Sequence, residues 1–381
     1  MITTGMFCFD YFSAYKPYFR WIGEAFDPSQ TVILTTSDEA GDPREGFHIF
    51  PRPDLLPPVN RFQRAAIRFG SPLAMRNQKA EARIAEALDT QQELRVLLAE
   101  SGFAANLVAE YATQRRLPLV VRLHGADLHQ ALRNRGKGRR LWQICRSASK
   151  ICVVGKYMIP ILQENGIPSS KIHLIPCGAC VADRSAREGP GVDRRFLFIG
   201  RLVPYKGVGA ILDAISIASG EGIKLELDII GDGPTRANLE AKSKSLGIEG
   251  RITFHGSRDS EFVRKRLERA TALVVPSVDE PGGPEAFGVV VSEAMAVGCP
   301  VIINRCGGLA DQVEDGQEGV VLEQGDTKGL SDSMIRLSSD EHLRLAMGRS
   351  GRARAVRDFD CEKLARSLRD LLLEVANDGV D

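Results

Sequence analysis

With 381 residues, 43% of them hydrophobic and 26% charged, and a net charge of +1, the chain is too long for one ordinary core and fits two domains of roughly 180 residues each. That balance excludes a disordered or fibrous chain. No apolar run approaches the roughly 20 residues that a membrane helix needs, and Asp10 falls where a secretory signal requires an apolar stretch, so the expected location is cytoplasmic. The charge is unevenly placed: residues 1–185 hold 24 Lys+Arg against 17 Asp+Glu, a balance of +7, and residues 186–381 hold 26 against 32, a balance of −6. A basic first half suits an anionic acceptor or a peripheral position at the inner face of a membrane, as well as a plain solvated surface. Nucleic acid is not an expected partner, because no aromatic and basic residues interleave as in nucleic-acid-binding motifs. The cysteines lie mostly in apolar runs and are expected to be reduced and structural. Cys177 and Cys180 form a lone CxxC whose lack of a second pair or a nearby His argues against zinc and leaves a redox pair open.

In chain order, MITTGMFCFDYF reads as a strand and Ala14–Phe26 as a helix or lid with aromatic anchors. Strands follow at Thr31–Thr36, Leu94–Leu98, Leu119–Leu123 and Ile151–Val154, with helical stretches between them, the signature of a parallel, doubly wound α/β sheet. Arg61, Arg64, Arg68, Arg76, Lys79 and Arg83 alternate with apolar residues in a segment that suits either a membrane surface or an ordinary solvated helix pair. His124, in LHGADLHQ, directly follows a strand, where open parallel sheets place ligand-binding residues. The basic, glycine-broken Arg133–Arg140 reads as a mobile loop touching an anionic acceptor. A polar Gly/Pro stretch within Lys171–Arg195 marks a linker, which puts the domain boundary between residues 185 and 186.

The second half alternates strands and helices through RFLFIGRL, LELDIIGDGP, ITFHG, ALVVPS, PVIIN and GVVLEQ, and is helical from about Thr327 onward. Gly200, Arg201 and Lys206 follow its first strand, and two cations there can offset a diphosphate. Gly231 opens GDGP after the next strand; this is not GxGxxG and argues against a dinucleotide dehydrogenase. Gly256 and Ser257 form the turn after a third strand. Pro284–Pro300, PEAFGVVVSEAMAVGCP, reads as a short helix from Val289 to Val297 that Gly298 ends in a left-handed conformation. Burying Glu293 among Val289, Val290, Val291, Ala294, Met295 and Val297 is costly unless it is hydrogen-bonded; a vicinal diol such as a ribose would satisfy it, and so would a core salt bridge. Glu285 precedes that helix, and the backbone N–H groups of Ala286, Phe287 and Gly288 favour an anion such as a phosphate. Gly307-Gly308 is expected to lead into another helix, and Asp358-Phe359-Asp360 lies far from any strand edge and is not read as a metal site.

Glu285 and Glu293, with Phe287, Gly288, Ala294 and Met295, resemble the E-x7-E signature of the retaining glycosyltransferases of family 4, which have two facing Rossmann-like domains (the GT-B fold). The Gly-Arg-Leu and Lys-Gly of FIGRLVPYKGV and the His-Gly-x-Asp at His124 fit the same pattern. The resemblance is dense from about Arg195 to Phe359 and thinner from Leu119 to Ile175; near the start only Gly5 and Lys16-Pro17 stand where relatives have a glycine-rich or proline-rich loop. It implies a last helix, about 360–381, that crosses back to an acceptor-side domain of residues 1–185, and a donor-binding domain of residues 186–359. It implies that Glu293 holds the ribose, that Glu285 and His124 lie at the donor sugar, and that Gly200, Arg201 and Lys206 bind the pyrophosphate. Gly231, Ala286, Phe287 and Gly288 would line the nucleotide cleft, with Gly256 and Ser257 at the base. The substrates would be a UDP- or GDP-linked sugar and a glycan or lipid-linked acceptor of surface polysaccharide or glycolipid synthesis, with no metal or other cofactor. The rival readings are a nucleotide-sugar-binding protein with little catalysis, prompted by the divergent start, and a sugar-nucleotide epimerase on the same fold.

Overall fold

The computed structural model describes residues 3–8, 31–35, 78–89, 94–181, 195–279 and 283–378. They divide into two units, Met1–Pro176 with Cys361–Asp381, and Cys177–Asp360. Ala14–Phe26, the basic residues from Arg61 to Arg76, and the expected boundary at residue 185 lie outside the described residues.

The first unit is built on strands β1 (Thr3–Cys8), β2 (Thr31–Thr35), β3 (Leu94–Ala99), β4 (Leu119–Leu123), β5 (Lys150–Val153) and β6 (Ile172–Leu174). They form one parallel sheet in the order β2-β1-β3-β4-β5-β6. Every residue of β4 is buried, as expected of a strand covered on both faces. The helix Cys361–Asp378 turns Ala365, Leu368, Leu372, Val375 and Ala376 onto Met6, Val96, Leu98, Val120 and Cys152. That single apolar stripe makes the last helix part of the first unit's core.

Arg133–Arg140 is not a loop: Arg133 ends the helix Ala126–Arg133, and Arg135 begins the helix Arg135–Ser147. The glycine that suggested a break serves close packing, since a Cβ on Gly138 would lie 2.4 Å from the Ala131 carbonyl oxygen. Arg140 is also held, donating to Asn106 Oδ1 at 2.9 Å and to the Asn106 carbonyl at 2.8 Å.

The second unit comprises β7 (Arg195–Ile199), β8 (Glu226–Ile230), β9 (Ile252–Gly256), β10 (Ala272–Val275), β11 (Val301–Asn304) and β12 (Gly319–Leu322). Its parallel sheet runs β12-β11-β10-β7-β8-β9. Phe196, Phe198, Leu227, Ile229, Val274 and Ile302 pack with the helices Val208–Gly220 and Thr327–Ser339 through Ile211, Leu212, Ile215, Met334 and Leu337. In this order the sequence direction reverses between β7 and β10, which leaves a crevice beyond their carboxyl ends. Among the described residues, no helix is long and apolar enough to cross a membrane.

Leu368→Ala should cost about 2–5 kcal/mol, as fully buried leucines do. Hydrogen exchange should then show lost protection in β3 and β4, with β7 and β10 as protected as in the wild type. Equal loss in both units would contradict the packing of the last helix.

Candidate functional site

The crevice of the second unit is assembled from the loops after β7, β10 and β11. After β7 the chain runs through Gly200 and the exposed Arg201 into a turn at Pro204–Lys206. Gly207 ends this turn with φ 70°, and a Cβ there would lie 2.1 Å from the Pro276 carbonyl oxygen, so only glycine fits. Tyr205 is tied to the same segment, its carbonyl accepting from Val278 N–H at 2.8 Å. These contacts bring Lys206 to Glu285: the ammonium and the carboxylate form an ion pair whose side chains are only 15% and 17% exposed. Lys206 also lies 5.5 Å from the Tyr205 ring centroid, and Arg201 donates to Tyr205 Oη at 2.8 Å.

Glu285 to Gly288 is clamped from behind by the chain after β11. Gly308 N–H donates to the Glu285 carbonyl at 2.8 Å, Gln312 Nε2 donates to the Phe287 carbonyl, and a Cβ on Gly308 would lie 2.0 Å from the Ala286 carbonyl oxygen. A single turn of 3-10 helix, Gly307–Leu309, follows β11; its glycines serve this close contact. Cys306 joins the clamp, accepting from Glu285 N–H at 3.5 Å and donating to Asp279 Oδ1 at 3.3 Å. Burial, with the hydrogen bond to Asp279 adding to it, pushes the Cys306 thiol up to about 12, so it stays protonated. Phe287 is buried and packs edge-on against Phe359 at 5.7 Å between centroids.

Gly288, at φ 71°, begins the helix Val289–Ala296, and no side chain caps that end. The helix stops as the sequence suggests. Gly298 is left-handed, with Gly298 N–H donating to the Met295 carbonyl and Cys299 N–H to the Ala294 carbonyl, both at 2.9 Å, a Schellman termination. Glu293 is half-buried on this helix, while Ser292, Ala294, Met295 and Ala296 beside it are buried.

Gly200, Gly231 and Gly256 meet at the adjoining rim. Gly231 N–H donates to the Gly256 carbonyl at 2.9 Å, and Gly200 N–H donates to the Ile230 carbonyl at 3.0 Å. With φ 133° at Gly231, a Cβ would fall 1.9 Å from the Gly200 carbonyl oxygen. Ser257, the next residue after β9, is exposed.

His124 belongs to the first unit, immediately after β4. Its Nε2 is 3.0 Å from Glu100 Oε2, and its backbone N–H donates to Asp127 Oδ2 at 3.4 Å. Glu100 also accepts from Arg122 Nη1 at 3.4 Å. Glu100 and Arg122 are each 1% exposed. Burial by itself would raise the Glu100 pKa, but the Arg122 charge and the hydrogen bonds from His124 and Arg122 outweigh it and hold the carboxyl below its ordinary value. Sequence reasoning missed Glu100 and Arg122. The available signals were an arginine inside the apolar LVVRL, a charge where a parallel strand is expected to be apolar, and a glutamate directly after LRVLLA, at the carboxyl edge of the sheet. Among the described residues, no three His, Cys, Asp or Glu side chains gather as a metal-holding group.

The chain matches two family models, "Glycosyl transferases group 1" over residues 183–354 and "Glycosyl transferase 4-like domain" over residues 14–178. It is 30% identical over 262 residues to an uncharacterized glycosyltransferase of Methanocaldococcus jannaschii, which covers 68% of this chain and 70% of that protein. It is 28% identical over 183 residues to the amylovoran biosynthesis glycosyltransferase AmsK of Erwinia amylovora, which covers 48% of this chain and only 45% of that protein. Among solved structures, that of Anabaena HepE in complex with UDP and glucose is similar with a TM-score of 0.76 and 18% identity, over 98% of this chain and 99% of that one, a likeness of fold.

Gly231→Ala should destabilise the protein by about 2–4 kcal/mol in urea unfolding, through backbone strain and the collision with Gly200. Gly220→Ala is the control: nothing lies within 4 Å of its Cβ position, and the change should be neutral or stabilising by up to about 1 kcal/mol. Equal midpoints for Gly231→Ala and the wild type would contradict the close packing of this rim.

Proposed function

Because the chain belongs to the family 4 glycosyltransferases of the GT-B fold, we propose that it is a retaining enzyme that moves a sugar from a nucleotide-diphosphate donor to a glycan or lipid-linked acceptor. The observation that carries this reading is the meeting of Lys206 and Glu285 at the point where strand order reverses in the second unit, the position at which open parallel sheets hold nucleotides. In the reaction the bond between the anomeric carbon and the phosphate oxygen breaks, and the acceptor hydroxyl bonds to that carbon on the same face. The hydroxyl proton passes to the departing diphosphate.

Arg201 and Lys206 offset the charge that grows on the diphosphate, and the uncapped end of the helix Val289–Ala296 offers it backbone N–H groups. Gly200, Gly231, Ala286, Phe287 and Gly288 shape the backbone around the nucleotide, and Gly256 and Ser257 address the base. Glu293 accepts from the ribose hydroxyls. Glu285 holds the donor sugar, and the family resemblance assigns His124 to a donor-sugar contact as well. With two cations and a helix end assigned to the leaving group, the reading requires no metal. UDP is the first nucleotide to try, since the Anabaena neighbour binds it. The Erwinia relative supports a role in polysaccharide synthesis, and the basic balance of residues 1–185 suits an anionic, lipid-linked acceptor at the inner face of a membrane.

The test follows nucleotide release from UDP- and GDP-sugars, with and without a lipid-phosphate acceptor and with EDTA present. Acceptor-dependent release is expected, with the donor's anomeric configuration kept in the product. Lys206→Ala should lower kcat by about 100-fold or more while the far-UV circular dichroism is unchanged. Full turnover in Lys206→Ala would sink its assigned role, and an inverted product would sink the retaining one. Saturable nucleotide binding without transfer to any acceptor would favour a binding protein, and donor conversion without an acceptor an epimerase.

A further inference from the structure

Glu100 is a buried carboxylate that the reaction as proposed leaves without a task. It sits at the carboxyl end of β3, with its side chain 0% exposed, between Arg122 and His124. No substrate can reach it there, and both oxygens are engaged: Oε1 with Arg122 Nη1 at 3.4 Å and Oε2 with His124 Nε2 at 3.0 Å. Arg122 is itself anchored, donating through Nη2 to the carbonyls of Ile175 at 3.3 Å and Pro176 at 2.8 Å. The backbone of His124 is held by Asp127, in the first turn of the helix Ala126–Arg133. Asp127 Oδ2 accepts from His124 N–H at 3.4 Å and from the N–H of Gly102, which begins the helix Gly102–Gln114, at 2.8 Å.

A carboxylate only accepts hydrogen bonds, so the imidazole nitrogen facing it must carry the proton. We propose that Glu100, anchored by Arg122, is a positioning residue that fixes His124 as the Nε2–H tautomer and orients its ring, so that the ring accepts a hydrogen bond from a donor-sugar hydroxyl at Nδ1. The inference rests on the assignment of His124 to the donor sugar and adds what sets its chemistry: a neutral ring so held is an acceptor at Nδ1, suited to a sugar hydroxyl. A salt bridge that served stability alone would need only Arg122 and Glu100; the third member turns the pair towards His124.

The tautomer can be read directly from the imidazole 15N shifts of the full-length protein at a pH where the ring is neutral, with the His124 signals assigned by their loss in His124→Ala. The wild type should show Nε2–H; Nδ1–H in the wild type would overturn the inference without any variant. In Glu100→Gln, Arg122 requires the amide oxygen, which turns the amide NH2 towards His124 Nε2. The ring should then switch to Nδ1–H, with kcat down at least tenfold, donor KM within threefold of the wild type, and no further loss in the Glu100→Gln/His124→Ala double variant. Should Glu100→Gln fail to fold, Glu100→Gln/Arg122→Met removes both charges; its glutamine oxygen is released to His124, and Nε2–H should be seen.

The two readings fail separately. Loss of turnover in His124→Ala, with Glu100→Gln keeping both the wild-type tautomer and turnover within twofold, would overturn the inference and spare the donor-site reading. Full turnover in His124→Ala, with the tautomer switch still present in Glu100→Gln, would uphold the hold of Glu100 on the ring and remove His124 from the reaction.

Discussion

An ammonium and a carboxylate that are only 15% and 17% exposed cannot be left apart, since each alone would carry an uncompensated desolvation cost. The Lys206–Glu285 pair is thus a constraint on the whole second unit. It requires the loop after β7 to fold back over the segment that follows β10, and it requires Glu285 to be presented at one place. The first requirement is met by Gly207, whose missing Cβ lets the turn lie on Pro276. The second is met by the turn Gly307–Leu309, by Cys306 and by Gln312, which hold Glu285 to Gly288 from behind. Removing one partner of such a pair typically costs about 3–5 kcal/mol. On the proposed reading a diphosphate brings Lys206 a second anionic partner, so the pair also keeps the lysine in place for its ligand.

The parallel sheet explains why this happens at one edge. All strand pairs of the second unit run parallel, so the loops that follow them emerge together at their carboxyl ends. The order β12-β11-β10-β7-β8-β9 then leaves room where β7 and β10 send their loops in opposite directions. Along the rest of the rim the backbone of Gly231 lies against that of Gly200, at a distance that excludes a side chain on Gly231. The first unit uses the same plan with different chemistry: buried ionic groups after β3 and within β4 hold a histidine.

Much of this was legible because it is local. Short apolar strands, the helix opened by Gly288 and closed by Gly298, and the cations after β7 are each written within a few consecutive residues, and the E-x7-E spacing put two carboxylates around one helix start. Pairing between distant segments was not legible. Glu100 and Arg122 lie side by side because β3 and β4 align Leu97 with Leu119 and Ala99 with Val121, a register that no stretch of sequence states. Nor does spacing reveal that Lys206 pairs with Glu285 across 79 residues. Arg133–Arg140 misled for a related reason: glycine disfavours a helix in isolation, but at Gly138 the need for contact with Ala131 outweighs that preference.

On the proposed function, the crevice of the second unit, organised by Lys206 and Glu285, receives a nucleoside diphosphate. Hydrogen–deuterium exchange of the full chain with and without saturating UDP, repeated with GDP, tests it most directly. Added protection is expected in peptides covering residues 200–207, 255–257 and 285–293 with one of the two nucleotides. Protection confined to other segments, or no change with either nucleotide at millimolar concentration, would contradict it.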